Sequence, residues 1–466
     1  MVEDTIFALA SGHGAAGIAV FRISGPRAAG ALAALGGGRP APRLATMARL
    51  CDPASGEMLD HALVLRFPAP ASFTGEDVVE LHVHGGRAVI DGVARALGGL
   101  EGLRPAEPGE FSRRAFANGK LDLAQVEALA DLVAAETEAQ RRLALEQYGG
   151  ALSRRFSQWQ ERLTGALAEI EAVVDFADED IPAGALAHAL EEINETTREI
   201  DSVRQGEDTG ERLRSGFHLA IIGAPNVGKS SLLNMLAQRE AAIVSETEGT
   251  TRDVVEIHLD LAGLPVIVAD TAGLRETADR VESEGVRRAL VRAEAADLRL
   301  FVIDASRPLA VDPLPAAVLG GDSVILLNKA DRLPLASVEQ AKNVLKSKCS
   351  LPVIAVSALT GAGIDDVLRH IRAFLEDKLS GLGPAPLTRE RHRLALSDAA
   401  EALARALALA DRSATPEQVA EPELVAEPEL VAEEVRLAIR ALGRIAGRVD
   451  VEDVLDLIFS RFCVGK

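Results

Sequence analysis

Eight residues, Gly223-Ala-Pro-Asn-Val-Gly-Lys-Ser230, constrain this chain more than any other stretch. They follow an apolar run, Phe217-His-Leu-Ala-Ile-Ile222, and precede Ser231-Leu-Leu-Asn-Met-Leu236, whose pattern is helical. Strand, glycine-rich loop and helix form the setting that a phosphate-binding loop requires. The glycines let backbone N–H groups curl around phosphate oxygens, and the helix start adds partial positive charge. Lys229 would reach the terminal phosphates, and the Ser230 hydroxyl would bind Mg²⁺.

Downstream residues bear on which nucleotide binds. Asp270-Thr-Ala-Gly273 closes the apolar run Leu264–Ala269. An aspartate there can hold the Mg²⁺ shell through water, and the Gly273 N–H can meet the γ-phosphate and move when it leaves. Asn328-Lys-Ala-Asp331 follows Ser323-Val-Ile-Leu-Leu327, and the Asp331 carboxylate can accept two hydrogen bonds from a guanine edge. Ser357-Ala-Leu359, after Pro352-Val-Ile-Ala-Val356, suits a backbone contact to the guanine oxygen. Four motifs in this order, each after an expected strand, resemble a Ras-like GTPase domain.

The resemblance extends to the switch region. Gly249-Thr-Thr-Arg-Asp253 is similar to the first switch of the translation-factor class, with Thr251 as the second Mg²⁺ ligand. Leu274 stands where small GTPases commonly place a water-orienting glutamine, so hydrolysis needs other help. Asn226, together with Ser245-Glu-Thr-Glu-Gly-Thr250, resembles the potassium-activated GTPases. That likeness implies K⁺ ligands at Asn226, Ser245, Thr247 and Thr250. The implied GTP site comprises Asn226, Val227, Gly228, Lys229, Ser230 and Ser231; Ser245, Glu246, Thr247, Glu248, Gly249, Thr250 and Thr251; Asp270, Thr271, Ala272 and Gly273; Asn328, Lys329 and Asp331; and Ser357 and Ala358. Glu282 matches an acidic residue that positions the attacking water, with Glu284 close enough in sequence to compete for the role.

A chain of 466 residues with 48% hydrophobic content can bury several cores. Aromatics are only 3%, which favours Ala- and Leu-built helices over a base-stacking platform. A net charge of −20 makes unaided nucleic-acid binding unfavourable, so action on RNA calls for a local basic surface or a partner. The three cysteines, Cys51, Cys349 and Cys463, lack metal-ligand spacing and form no disulfide framework, which fits a reducing cytoplasm. No basic signal start and no apolar stretch of membrane-spanning length is visible, so no membrane association is expected.

Residues 1–120 read as a compact α+β domain, with strands over 18–23, 62–67 and 78–83 and helices over 27–35 and 88–97. Long helical patterns run over 121–147 and 152–176, with Asp122 and Ser153 as candidate caps, and continue over 183–214. A GTPase domain over 216–378 then interrupts the helices, which resume over 388–410 and 433–459. The economical organisation is a helical domain of two parts, 121–215 and 379–466, with the α/β domain inserted between them. Residues 416–433 carry a proline-punctuated hexapeptide repeat, expected as an exposed acidic loop. His82 and His84 share a strand face, but no third ligand is nearby, and hydrogen-bonded strand histidines are expected.

The chain closes with Phe462-Cys-Val-Gly-Lys466. With the central GTPase pattern, Phe21-Arg-Ile-Ser-Gly25, Phe73-Thr-Gly-Glu-Asp-Val-Val-Glu-Leu81, His84-Gly-Gly86, Gly109-Glu-Phe-Ser112 and Arg114–Gln125, the sequence resembles the MnmE/TrmE family of tRNA modification GTPases. The resemblance implies an α+β N-terminal folate-binding and dimerisation domain, a discontinuous all-α helical domain and an inserted Ras-like α/β P-loop GTPase domain. It implies folate contacts at Arg22, Glu80, Lys120 and Lys466. Cys463 is either a nucleophile or redox-active thiol near the folate, or a small buried residue of a docked tail. The implied reaction adds a carboxymethylaminomethyl group to C5 of wobble uridine in certain tRNAs, with a potassium-assisted GTPase cycle. The donor would be 5-formyl- or methylenetetrahydrofolate. A flavoprotein of the MnmG/GidA type would supply FAD to a homodimer of this chain within a heterotetramer. Glycine is the implied nitrogen source, with ammonium as the alternative. A ribosome-assembly switch would need a KH motif or basic extension, and neither is visible; a scaffold GTPase with a vestigial folate pocket is the other alternative.

Overall fold

The computed structural model describes residues 4–12, 14–175, 184–204, 206–239, 241–243, 256–270, 294–307, 322–381, 383, 386–411, 428–447, 458–459 and 465. The chain forms two compact units. One contains Met1–Ala130, Gln147–Asn194 and Glu401–Lys466; the other contains Asp131–Glu146 and Glu195–Ala400.

The first unit is built on a six-stranded sheet. Its strands are β1 (Thr5–Leu9), β2 (Ala16–Ser24), β3 (Thr46–Cys51), β4 (Met58–Phe67), β5 (Val78–Gly85) and β6 (Leu103–Pro105), in the order β3-β4-β5-β2-β1-β6. One face is covered by the helices Ala28–Ala34 and Arg87–Gly98, and Phe21, Ile23, Leu32, Leu81 and Leu97 pack into the core between them. Alternation along β2 and β5 buries Phe21, Ile23, Leu81 and Val83, and leaves Arg22, Glu80 and His82 on the opposite face. The same unit holds a helical pair, Ala151–Asp175 and Pro428–Ala446, in which Gln160 Nε2 donates to the Ile439 carbonyl at 3.2 Å. The second helix buries Val431, Val435, Ala438, Leu442 and Ile445, a single stripe at three- and four-residue intervals.

The second unit is built on β7 (Phe217–Ile222), β8 (Ala241–Ile243), β9 (Glu256–Leu261), β10 (Leu264–Asp270), β11 (Leu298–Asp304), β12 (Ser323–Asn328) and β13 (Val353–Ala355). The order is β13-β12-β11-β7-β10-β9-β8, with β13, β12, β11, β7 and β10 mutually parallel. All six residues of β12 are buried, as expected of a strand covered on both faces. The hairpin β9–β10 turns at Ala262–Gly263, where the Gly263 carbonyl accepts from the Ala139 amide at 3.0 Å.

Several local expectations need correction. The helix expected over 121–147 is two helices, Leu123–Ala134 and Glu138–Tyr148. The break is a reciprocal cap: Gln140 Oε1 accepts from the Thr137 amide at 3.1 Å, and the Gln140 amide donates to Thr137 Oγ1 at 3.4 Å. Asp122 does cap, since its Oδ1 accepts from the Gln125 amide at 2.9 Å. Ser153 does not: the helix starts at Ala151 behind Gly150, and the Ser153 hydroxyl is buried without a hydrogen bond. The last repeat copy, Pro428-Glu-Leu-Val-Ala-Glu433, is the first turn of a helix rather than loop, because proline is tolerated at the first helical position. The earlier copies lie outside the described residues.

Candidate functional site

The glycine-rich loop leaves β7 at Ile222 and enters the helix Lys229–Arg239. β7 has β11 on one side and β10 on the other, so the loop opens where the strand order reverses, the usual ligand position of an open α/β sheet. Gly228 has φ +100°, and a Cβ there would stand 2.3 Å from Asn328 Nδ2, so only glycine fits. Asn226 adopts φ +63°, a left-handed conformation that asparagine tolerates. The Lys229 ammonium folds back over the loop and donates to the Gly223 and Ala224 carbonyls at 2.9 and 3.0 Å. Ser230 and Ser231 are exposed in the first helical turn. A cation, hydroxyls and helix-start N–H groups converge, which is a donor set suited to a polyphosphate with a divalent ion.

The other expected residues reach the same sheet edge. Asp270 closes β10, in register with Ile221 of β7. Asn328 closes β12 and is 1% exposed. Its Nδ2 donates to the Val227 carbonyl at 2.8 Å, and its Oδ1 accepts from the Ala358 amide at 3.0 Å. Within the Ser357–Leu359 segment expected to offer a backbone contact to the base, the Ala358 N–H is engaged by Asn328 in this structure. Asp331 lies in the short turn Ala330–Arg332, exposed to solvent as a base-reading carboxylate must be. Ser357 is buried behind it, where its Oγ accepts from the Thr360 amide at 3.2 Å.

Asp304 was not singled out in the sequence. It closes β11 in register with Asn328, and its Oδ2 accepts from the Lys329 ammonium at 2.7 Å. Burial alone would raise its pKa, but Lys329 and the Ser306 amide and hydroxyl outweigh burial and hold it at about 2. An acidic residue ending the apolar run Leu300–Ile303 was the signal that could have found it.

Ser245, Glu246, Thr247, Glu248, Gly249, Thr250, Thr251, Thr271, Ala272, Gly273, Leu274, Glu282, Glu284, Cys463 and Lys466 lie outside the described residues.

A second cluster sits on the open face of the six-stranded sheet. Arg22 and Glu80 are register partners on β2 and β5, and Arg22 donates to Glu80 Oε1 at 3.2 Å from Nε and 3.0 Å from a terminal nitrogen. The guanidinium also lies 5.1 Å from the Phe73 ring centroid and 5.8 Å from that of Phe111. Lys120 Nζ donates to the Pro70 carbonyl at 3.1 Å. Arg22, through Phe73, and Lys120, through Pro70, thus meet one loop, residues 68–77. A buried network holds that loop from behind. Arg114, 4% exposed, binds both Glu76 oxygens at 3.2 Å, Asp4 Oδ1 at 2.9 Å and Glu110 Oε1 at 2.9 Å. Ser24 Oγ donates to Glu76 Oε2 at 2.7 Å, and Asn118 Nδ2 donates to the Thr74 carbonyl at 2.7 Å. Burial would raise Glu110 and Asp4, but the Arg104 and Arg114 guanidiniums hold both below their ordinary values. Aromatic rings, a carboxylate and cations gathered about one loop suit a flat heterocycle with an anionic tail.

His82 and His84 are hydrogen-bonded strand residues. His82 Nε2 lies 3.4 Å from Glu80 Oε2, and His84 Nδ1 lies 2.8 Å from Asp60 Oδ1. Among the described residues no group of three or more His, Cys, Asp or Glu could hold a metal ion, and no helix is long and apolar enough to cross a membrane.

A phosphate-type loop at the switch point, with Asn328, Asp331 and Ser357 on adjoining strand ends, defines a P-loop guanine-nucleotide-binding protein. Residues 5–120 match the family model described as "GTP-binding protein TrmE N-terminus", and residues 123–463 match the "MnmE helical domain" model. The chain is 52% identical over 467 residues to the tRNA modification GTPase MnmE of Paramagnetospirillum magneticum, with 100% of both chains covered. It is 52% identical over 491 residues to that of Rhodospirillum rubrum, again with 100% of both covered. It is 45% identical to the mitochondrial 5-taurinomethyluridine-[tRNA] synthase subunit GTPB3 of Danio rerio, over 100% of this chain and 93% of that one. The chain belongs to the MnmE family of tRNA modification GTPases.

Proposed function

We propose that this chain hydrolyses GTP and uses the cycle to drive modification of the wobble uridine of certain tRNAs, in the cytoplasm. The observation that carries the reading is the convergence of Lys229, Ser230, Asn328 and Asp331 on one sheet edge in a chain matched end to end by tRNA modification GTPases. Lys229 would release the Gly223 and Ala224 carbonyls to meet the terminal phosphates, Ser230 would hold Mg²⁺, and Asp331 would read the guanine edge. Asn226 fits a monovalent cation in chemistry, with an amide oxygen in an exposed loop beside the phosphate position. A bound K⁺ would neutralise charge developing on the phosphates where other GTPases use arginine. Residues 216–378 would then work as the GTPase domain between helical parts 121–215 and 379–466.

The N-terminal cluster would bind a tetrahydrofolate one-carbon donor. Glu80 would accept from the donor edge of the pterin, while Lys120 and Lys466 meet the anionic tail and Arg22 lines the wall between Phe73 and Phe111. Within 1–120 this site would also serve dimerisation. FAD would come from an MnmG/GidA-type flavoprotein, with which the homodimer assembles to install the carboxymethylaminomethyl group.

The test is mass spectrometry of nucleosides from tRNA incubated with the full chain, the flavoprotein, GTP, KCl, folate donor and glycine. The carboxymethylaminomethyl uridine should accumulate only when all are present. Product formed equally without GTP or without this chain would overturn the reading.

A further inference from the structure

Lys329 joins two separate elements at the nucleotide site. Its backbone sits at φ +63°, directly after Asn328. Its ammonium makes two contacts to different elements: the Asp304 carboxylate at 2.7 Å and the Asn226 carbonyl at 2.9 Å. Asp304 comes from the end of β11, and Asn226 from the crest of the phosphate loop. A lysine has a flexible four-carbon stem, so it holds one geometry only where something fixes its head. The fixed partner here is Asp304, 5% exposed and anchored by the Ser306 amide at 3.0 Å and hydroxyl at 2.6 Å. Arg307 is no substitute, because its Nε stands 3.7 Å from the same carboxylate and the side chain is exposed.

We propose that Asp304 is a positioning residue for guanine-nucleotide retention: it aims the Lys329 ammonium at the Asn226 carbonyl and so straps the phosphate loop to the base-reading turn. The inference rests on the nucleotide reading of this site and adds to it a residue that touches neither phosphate nor base. The strap ends on Asn226, so it also sets the carbonyl of the residue whose side chain is expected to meet a monovalent cation. Loss of the strap would let the phosphate loop and the base turn open independently, and the nucleotide would leave sooner.

The experiment measures dissociation of a fluorescent GDP analogue from the full chain by displacement with excess GDP, together with affinity for that analogue. Asp304→Asn keeps the shape and the Ser306 hydrogen bonds but removes the charge that fixes Lys329. It should accelerate dissociation about tenfold. In a Lys329→Met background, the same substitution should change the rate by less than twofold, because the strap is already gone. Ser306→Ala removes one of the two anchors of Asp304 and should accelerate dissociation by less than Asp304→Asn does. A rate unchanged in Asp304→Asn, an undiminished effect in the Lys329→Met background, or an equal acceleration by Ser306→Ala would each overturn the proposal. If Asp304→Asn does not accumulate folded, as judged by circular dichroism, Asp304→Ser gives the same comparison from a smaller side chain. Failure of the parent chain to bind the analogue would instead overturn the nucleotide reading itself, so the two failures are distinguishable.

Discussion

Asn328 grips Val227: the side-chain amide that ends β12 donates to a carbonyl inside the phosphate loop at 2.8 Å. The same side chain accepts from the Ala358 amide, so one buried residue ties three strand ends together. Asn328→Ala would leave the buried Val227 carbonyl without its partner, at a cost of about 1–3 kcal/mol, and free the half-buried Ala358 amide. GTP affinity should fall at least tenfold by isothermal calorimetry, and the thermal midpoint should drop with it. An unchanged affinity would remove Asn328 from the site.

Asp331 carries no such structural duty, being exposed in its turn. Asp331→Asn should therefore leave thermal stability within about 0.5 kcal/mol, as surface changes usually do. It should weaken GTP binding and favour xanthosine triphosphate, because the amide offers a donor where the carboxylate accepted two. Competition between the two nucleotides measures the switch directly. Retained guanine preference would argue against a base-reading role.

Leu274 cannot orient water, so turnover should depend on the cation. GTP hydrolysis in KCl should exceed that in NaCl at equal ionic strength by tenfold or more. Asn226→Ala should remove most of that difference. Equal rates in the two salts would rule out a cation-assisted site.

On the six-stranded sheet, Arg22→Met would remove the ion pair to Glu80 and the packing of a cation between Phe73 and Phe111. Binding of 5-formyltetrahydrofolate to the full chain should weaken about tenfold or more, with GTP affinity unchanged. Glu80→Gln should give a similar loss. Parallel loss of GTP affinity would point to misfolding rather than a pocket defect.

The carboxyls around Arg114 predict acid sensitivity. Glu110 and Asp4 titrate below their ordinary 4.5 and 3.8 in the folded chain, so the unfolded chain takes up protons first as pH falls. Their contribution is complete above those ordinary values and is lost as pH drops through them towards the folded ones. Urea midpoints should fall steeply below about pH 4.5. Glu110→Gln should flatten that slope and cost about 3 kcal/mol at pH 7, by leaving the buried Arg114 cation short of one partner.

The nucleotide site was legible because its strands, β7, β10 and β12, are long apolar runs that each end in a chemically distinctive residue. β3 and β6 were missed because an edge strand such as Thr46–Cys51 alternates weakly and a three-residue strand has no period. The break before Glu138 was hidden because alanine-rich periodicity continues through it, and only the Thr137–Gln140 cap marks it. Pro428 misled because proline breaks a helix everywhere except near its start. Asp304 ends a strand-like run, but its partner Lys329, like the pairing of Glu76 with Arg114, joins distant segments, and local pattern carries no trace of such pairings.

Gly465 has φ +105°, and a Cβ there would stand 2.3 Å from the Leu9 carbonyl oxygen at the end of β1. Gly465 lies flush against the first strand, a fit that any side chain at that position would spoil. During synthesis that contact is closed only after nearly everything between has left the ribosome. Residues 195–400, by contrast, emerge with most of their partners already made. On a nascent chain the six strands of the first sheet, all within residues 5–105, emerge before the nucleotide-binding unit, yet their contact with Gly465 is the last to close.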